Sequence, residues 1–255
     1  MNTREMMRRD WDDRAKRNAF HYIASWKEGW DVKSFLASGE SDYATLVAPV
    51  LERCNVPATG KVMVELGCGT GRMTRSFARH YQHVVALDIS EEMLRRARRI
   101  DAEQQSILWV QLGGADLSFL ASNAVDFVFS YLVLQHLPSE DLIFGYIREF
   151  LRVLRPGGAF LFQFNGSHRP TMNWRGRLIW SAIDALWAAR LTSLSRAVAS
   201  SIGLDPAAAG KSWRGAAIEA ARVVTGLRSM GAEVRELSGE STPMAWCCGV
   251  KQAGS

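Results

Sequence analysis

The sequence predicts an α/β protein built on a doubly wound, mostly parallel sheet of seven strands, and three features lead there. From Lys61 onward, short β-type runs alternate with helical stretches, which is the pattern of a parallel sheet covered on both faces. The first of these runs enters a glycine-rich junction that opens a helix. Two further β-type runs, with one helix before them, close the chain.

The elements follow in order. Met6–Trp26 reads as an amphipathic helix, because Trp11, Ala15, Ala19, Tyr22, Ile23 and Trp26 recur at three- and four-residue spacing between charges. Asp42–Cys54 reads as a second helix, ending at the turn-like Pro57–Gly60. Residues 1–60 are therefore expected to form a helical cap on a core domain that begins at Lys61. Lys61–Leu66, His83–Asp88, Ile107–Leu112, Val125–Ser130 and Ala159–Phe164 are short, β-branched or aromatic, and bounded by Gly, Asp or Pro. Helical patterns fill Gly71–His80, Ser90–Asp101, Ser139–Leu154 and Ala216–Met230. Ser90 followed by Glu91 and Glu92 is a helix start with its acids in the positive first turn. Leu154-Arg155-Pro156-Gly157-Gly158 reads as a stop and turn before the fifth strand. Ala232–Leu237 and Met244–Val250 are the late strands. Between the fifth strand and the last long helix, Ser167–Trp213 is rich in Trp, Leu, Ala and Arg and has no place in the alternation, so it reads as a helical insertion over the substrate side.

Composition bounds the function. A chain of 255 residues that is 47% hydrophobic and 22% charged is ordinary for a globular α/β domain. Cys54, Cys68, Cys247 and Cys248 show no C-x-x-C spacing, which suits a reducing compartment. The charged amino-terminal stretch lacks an apolar leader, and the most apolar helical stretch, Leu178–Ala189, is interrupted by Asp184 and too short to span a membrane. A cytoplasmic location is expected. The net charge of +5 is local: Ser167–Met230 holds nine Arg or Lys against Asp184, Asp205 and Glu219. Such a segment either attracts an anionic ligand or presents a solvated basic helix face.

The chemistry centres on Val62-Met63-Val64-Glu65-Leu66-Gly67-Cys68-Gly69-Thr70-Gly71, an apolar strand running into three alternate glycines. A tight strand-to-helix turn that a ligand approaches closely needs residues without Cβ. The spacing is G-x-G-x-G, and the last glycine of a dinucleotide fingerprint would fall on Arg72, so a nicotinamide cofactor is excluded in detail. Seventeen residues after Gly71, the strand Val84-Val85-Ala86-Leu87 ends in Asp88. A carboxylate there can accept both hydroxyls of a ribose, or cap the following helix.

With these residues in view, the run resembles the class I S-adenosylmethionine-dependent methyltransferase superfamily, particularly its bacterial small-molecule, type 11-like group. Val125–Pro138, with Ser130-Tyr131 at the strand end and Gln135-His136 in the loop, is similar to that group's fourth strand and following loop. Arg152–Gly158 resembles its turn into strand five, and Trp246–Lys251 its antiparallel last strand. The resemblance spans Lys61–Phe164 and is thin elsewhere. It implies S-adenosylmethionine as cofactor, S-adenosylhomocysteine as product, and no metal. Carried over by position, Glu65 with Gly67, Cys68, Gly69, Thr70 and Gly71 would hold the methionine end. Asp88 would hold the ribose, Ile89 and Met93 would pack on adenine, and Ala115 with Asp116 would meet its amino group. Gly113-Gly114-Ala115-Asp116-Leu117 departs from the group's acid-then-small pattern there. Ser130 and Tyr131 would lie beside the methionine part. Tyr22 either closes over the cofactor carboxylate or simply docks its helix.

Methyl transfer from a sulfonium is an in-line displacement, in which the protein chiefly aligns the nucleophile. A base is needed only for a poorly acidic hydroxyl. His136, in the loop after strand four, and His168, after strand five, are the candidates; the Gln135-His136 pair could equally be structural. Trp180 and Trp187 share a helix face and read as packing, whereas Trp174 and Arg175 read as substrate contacts. Neither the Asn- or Asp-Pro-Pro-aromatic tetrapeptide of base-amine methylation nor a Pro-Cys nucleophile is present. A small acceptor, anionic if the basic insertion selects it (a metabolite, glycan or lipid precursor), therefore leads over nucleic acid. An RNA- or protein-directed methyltransferase and a non-catalytic cofactor-binding protein are the alternatives, and the oligomeric state is open.

Overall fold

A computed structural model describes residues 3–101, 105–114, 116–166, 174–189, 191–202 and 215–253. Strands β1 (Gly60–Leu66), β2 (Tyr81–Asp88), β3 (Ile107–Gln111), β4 (Val125–Ser130), β5 (Leu154–Phe164), β6 (Ala232–Ser238) and β7 (Ala245–Lys251) form one seven-stranded sheet in the order β3-β2-β1-β4-β5-β7-β6. The β1–β5 pairings are parallel, and β7 runs antiparallel to both β5 and β6. The strand order reverses beside β1, so the crevice between the carboxyl ends of β1 and β4 is where an open sheet of this kind takes a ligand.

Alternation along β1 explains the two faces. Met63 points into one core with Phe77, Phe127, Phe129 and Leu161, while Val64 points into the other with Val128, Phe160 and Phe162. The helices α3 (Ala48–Arg53) and α4 (Thr74–Phe77) cover the first face through Leu51 and Phe77. On the second lie α6 (Glu140–Val153), with Ile147 and Phe150, and α9 (Ala220–Ser229), with Val223 and Leu227. Asp126 ties the central strands together at the base: its Oδ2 accepts from the Lys61 and Val62 backbone N–H groups at 2.8 Å each, and its Oδ1 from Arg155 Nε at 2.6 Å.

Several boundaries differ from the sequence reading. The first helix, α1 (Thr3–Ile23), breaks at Asn18, where φ is −163° and ψ 88°. The Asn18 side chain accepts from the His21 N–H at 3.2 Å, which offers the backbone a local alternative to the helix. Trp26 falls beyond the helix end and is 54% exposed, so it leaves the apolar stripe. The reading also missed α2 (Val32–Asp42), capped by Asp31 accepting from Ser34 N–H at 2.9 Å, and this helix continues through a π turn at Tyr43–Val47 into α3. Gly39 gives Ser38–Ser41 the look of a turn, yet it sits in the helix because a Cβ there would overlap the Arg72 carbonyl. β5 begins at Leu154, through the expected turn, with an irregular register against β4 and a positive φ of 75° at Gly157. The helical segment after the glycine loop is short, only α4.

The insertion contains two described helices, α7 (Trp174–Ala188) and α8 (Thr192–Ser201), packed on each other through Ile183, Ala199, Trp180 and Val198. Arg196 of α8 binds Asp10 of α1 at 2.6 Å. The rest of Ser167–Trp213 lies outside the described residues, as do His168 and Ala115, and nothing is described for the side chains of Trp174 and Trp187.

Phe129 sits at the sheet centre, 0% exposed, with its ring 4.8 Å from that of Phe77. Phe129→Ala should lower unfolding free energy by about 3–5 kcal/mol, read from the denaturant midpoint at unchanged m. A loss below about 1 kcal/mol would mean that this layer is not the rigid floor of the site.

Candidate active site

The glycine loop leaves β1 in a conformation that side chains resist. Gly67, Gly69 and Gly71 have φ of 76°, 56° and 84°, the left-handed region. A Cβ on Gly67 would also overlap the Val133 side chain, and one on Gly69 would stand 2.7 Å from Ile23 Cδ1. The loop is fastened to the end of β2: Gly67 and Cys68 N–H both donate to the Leu87 carbonyl, at 2.7 and 3.0 Å. Asp88 completes the fastening, accepting the Gly69 N–H on Oδ2 at 2.9 Å and the Ser90 N–H on Oδ1 at 2.8 Å. Ser90 then caps α5 (Glu91–Ile100) by accepting the Met93 N–H at 3.1 Å. Helix α1 reaches the same point, where Asp12 Oδ1 accepts from Ser90 Oγ at 2.6 Å and Glu92 N–H at 3.2 Å.

A cavity of about 340 Å³ opens over this loop, between the sheet edge and α1. It is large enough for a nucleoside-sized ligand. Glu65, Gly67, Cys68, Gly69, Asp88, Ile89, Met93, Tyr131, Tyr22 and His136 all line it. Thr70, Gly71 and Ser130 support it from behind: the Thr70 hydroxyl is buried with no hydrogen-bond partner among the described residues, and Ser130 Oγ donates to the Leu66 carbonyl at 3.3 Å. Gly71 packs against Trp109, whose ring would be 2.6 Å from an added Cβ. Asp116 is exposed, off the cavity wall, and accepts from the Ser118 N–H at 2.8 Å.

Two acids of the wall are held away from their ordinary state. Burial pushes the Glu65 carboxyl up to about 7, against the pull of Thr74, whose hydroxyl donates at 2.5 Å, and of Arg72. Burial likewise pushes Asp88 up to about 6, opposed by the Ser90 and Gly69 N–H donors and reinforced by Asp12. Both groups lack a cation that fully repays their desolvation, so a positively charged ligand group is what this wall favours.

The sequence reading missed other parts of the wall. Arg72 is 4% exposed, bound to Asp42 at 2.6 Å, with its guanidinium carbon 5.1 Å from the Trp26 ring centroid. Trp11 meets His136 edge-on at 5.3 Å between ring centroids. Gln163, 0% exposed on β5, organises the loop after β4. Its Oε1 accepts the N–H of Leu132, a residue at a strained φ of 58°, at 3.1 Å. Its Nε2 donates to Gln135 Oε1 at 2.9 Å. That contact turns the Gln135 amide nitrogen toward His136 Nε2, 3.2 Å away, and makes this ring nitrogen the acceptor. A buried glutamine in an apolar strand was a visible signal, but its partners were not. Among the described residues no cluster of His, Cys, Asp and Glu could hold a metal ion.

The raised Glu65 carboxyl has a stability consequence. The folded state holds its proton more tightly than the unfolded chain does, so stability from this group is present below pH 4.5 and lost as pH rises toward 7. The loss should reach about 3 kcal/mol without ligand. Denaturant titrations should show the wild type losing stability up to about pH 7, whereas in Glu65→Gln the loss should be roughly halved and end near pH 6, where Asp88 alone titrates; equal slopes would remove Glu65 as the cause.

Comparison with known proteins agrees with the geometry. Residues 64–162 match a methyltransferase domain family. Over 104 residues the chain is 38% identical to malonyl-(acyl-carrier protein) O-methyltransferase of Yersinia pestis, covering 41% of this chain and 36% of that one. Over 113 residues it is 28% identical to phosphoethanolamine N-methyltransferase 1 of Triticum aestivum, covering 43% and 22%. The chain thus spans less than half the length of these relatives. The crystal structure of magnesium protoporphyrin IX methyltransferase from Synechocystis PCC 6803 with bound S-adenosylmethionine superposes with a TM-score of 0.61 at 14% identity, covering 99% of this chain and 98% of that one. Residues 64–162 thus resemble a methyltransferase domain, and the seven-stranded sheet that carries them has the fold of the Synechocystis enzyme.

Proposed function

We propose that the protein transfers a methyl group from S-adenosylmethionine to an O or N atom of a small acceptor. The observation that carries this reading is the pair of buried acids, Glu65 and Asp88, standing at the carboxyl ends of adjacent strands on either side of a glycine loop that lines one cavity. The group fits these residues. Asp88 would receive the ribose hydroxyls on the lone pairs its backbone contacts leave open, and Ile89, Met93 and Leu112 would flank the adenine. Glu65 would receive the amino group, a cation that answers the desolvation of its carboxylate. The cofactor, when bound, supplies an electrophilic methyl on a sulfonium.

The chain's own residues do the rest. Trp11, Trp26, Tyr131 and Tyr146 give the cavity aromatic walls that exclude water and suit a small organic acceptor. The Gln163–Gln135 contact holds the His136 ring with a lone pair on Nε2, in the form a base requires. An acceptor hydroxyl would take that lone pair in place of Gln135. A nucleic-acid or protein acceptor would instead engage the basic stretch of Ser167–Met230, and would show affinity that falls steeply with salt.

Calorimetry tests the donor half. Wild-type protein should bind S-adenosylmethionine, and Asp88→Ala should weaken binding tenfold or more; unchanged affinity would refute the ribose assignment. Because Glu65 must lose its proton to meet a cation, wild-type affinity should rise about twenty-five-fold between pH 5.5 and 7.5. Glu65→Gln should bind more weakly at pH 7.5 and lose most of that rise. Cofactor binding with no turnover on any acceptor class would favour a non-catalytic role.

A further inference from the structure

Arg72 follows the glycine loop and lines the cavity while only 4% exposed. Among the described residues of that wall, no other is Arg or Lys. A buried guanidinium is expected to meet its donors, because each one left unmet keeps its desolvation cost. Arg72 falls short of that. Its bonds leave from Nη1 alone, to Asp42 Oδ2 at 2.6 Å and to Ser38 Oγ at 3.5 Å. The buried Nε has no hydrogen-bond partner among the described residues, and Nη2 donates to none of them. Arg75 Nη2 is unmet as well, but that residue lies off the wall.

The surroundings hold the guanidinium without filling this edge. Its carbon lies 5.1 Å from the Trp26 ring centroid and 6.0 Å from that of Tyr131, both of them wall residues. Aromatic rings attract a guanidinium without using its in-plane N–H donors. Helix α2 packs on the Arg72 backbone so closely that a Cβ on Gly39 would overlap the carbonyl, and Asp42 ends the same helix. What the protein leaves open is the Nε–Nη2 edge, two parallel donors at the spacing of a carboxylate.

We propose that the Nε–Nη2 edge of Arg72 binds a carboxylate in the cavity, brought either by the amino-acid end of the cofactor or by an acidic acceptor. Arg72 is near enough to Glu65 for its charge to act on that carboxyl. An amino-acid group would therefore find an oxygen for its ammonium and a fork for its carboxylate on one wall. The cofactor source rests on the methyl-transfer reading; the acceptor source requires only the cavity.

Calorimetry with three probes tests it. S-adenosylhomocysteine carries the carboxylate, 5′-methylthioadenosine keeps the nucleoside and thioether without it, and benzoate is a carboxylate on a ring that suits Trp26 and Tyr131. If the cofactor brings the group, Arg72→Met should bind S-adenosylhomocysteine about tenfold more weakly or worse, with 5′-methylthioadenosine affinity unchanged. If an acceptor brings it, wild type saturated with S-adenosylhomocysteine should bind benzoate, and Arg72→Met should not. Asp42→Asn breaks the same ion pair from the other side. A merely structural Arg72 predicts equal losses in both variants, whereas the proposal predicts undiminished carboxylate binding in Asp42→Asn. Should Arg72→Met prove misfolded by circular dichroism, Arg72→Lys, which keeps the charge and loses the fork, should show the same selective loss. A folded variant that binds all three probes like the wild type, or that loses both nucleosides equally, would overturn the proposal. Wild type that binds neither nucleoside would defeat the cofactor assignment instead, and benzoate binding to the free protein, lost in Arg72→Met or retained, would then decide the role of Arg72.

Discussion

The hydrogen bond from the Gly69 backbone to the Asp88 carboxylate is the contact through which the rest of the site is arranged. It joins the turn after β1 to the end of β2, and the same carboxylate sets the start of α5 through Ser90. Helix α1 then docks on that start through Asp12, which shapes the cavity roof. One acid thus fixes floor, wall and lid. The cost is a carboxylate pushed up to about 6 by its burial, one strand away from Glu65, pushed up to about 7. Two strained acids beside a glycine loop form a wall that a cationic, hydroxyl-bearing ligand would relax.

The side of the cavity away from the loop is organised by a different device. Gln163 reaches from β5 beneath the loop after β4, holding Leu132 in a left-handed conformation and aligning Gln135 with His136. Buried polar networks of this sort specify one arrangement because an unmet donor would be costly. The loop's position is therefore set by sheet residues, and the candidate base inherits that rigidity. The insertion, by contrast, is joined to α1 by Arg196 and carries its apolar residues outward. The geometry of the cavity floor belongs to the sheet; the insertion is fastened to it through α1.

Much of this was legible from residues alone, for physical reasons. β1 and β4 are largely apolar, interrupted at Glu65 and Asp126 and followed by glycine or closed by serine, and buried parallel strands are rich in such residues. The Gly67–Gly71 loop was legible because its left-handed backbone restricts those positions to few residue types, and Asp88 because a buried strand rarely ends in an acid without a partner. What stayed hidden depends on contacts between distant segments. Gly39 looks like a turn and is a packing point under the Arg72 carbonyl. Arg72 marked where a dinucleotide fingerprint fails, yet nothing local showed that it would be buried against Asp42 and Trp26. Asn18 breaks the first helix through its own side chain, a competition that periodicity does not register. Asp116 was placed by analogy near the adenine, and its carboxylate turns to Ser118 in an exposed loop.

The central claim is that Glu65 and Asp88 divide one cofactor between them, and a crystal structure with S-adenosylhomocysteine tests it most directly. The account predicts both ribose hydroxyls within hydrogen-bond reach of Asp88 and the ligand's amino group beside Glu65. A ligand seated elsewhere, or one whose ribose leaves Asp88 bound only to Gly69 and Ser90, would contradict it.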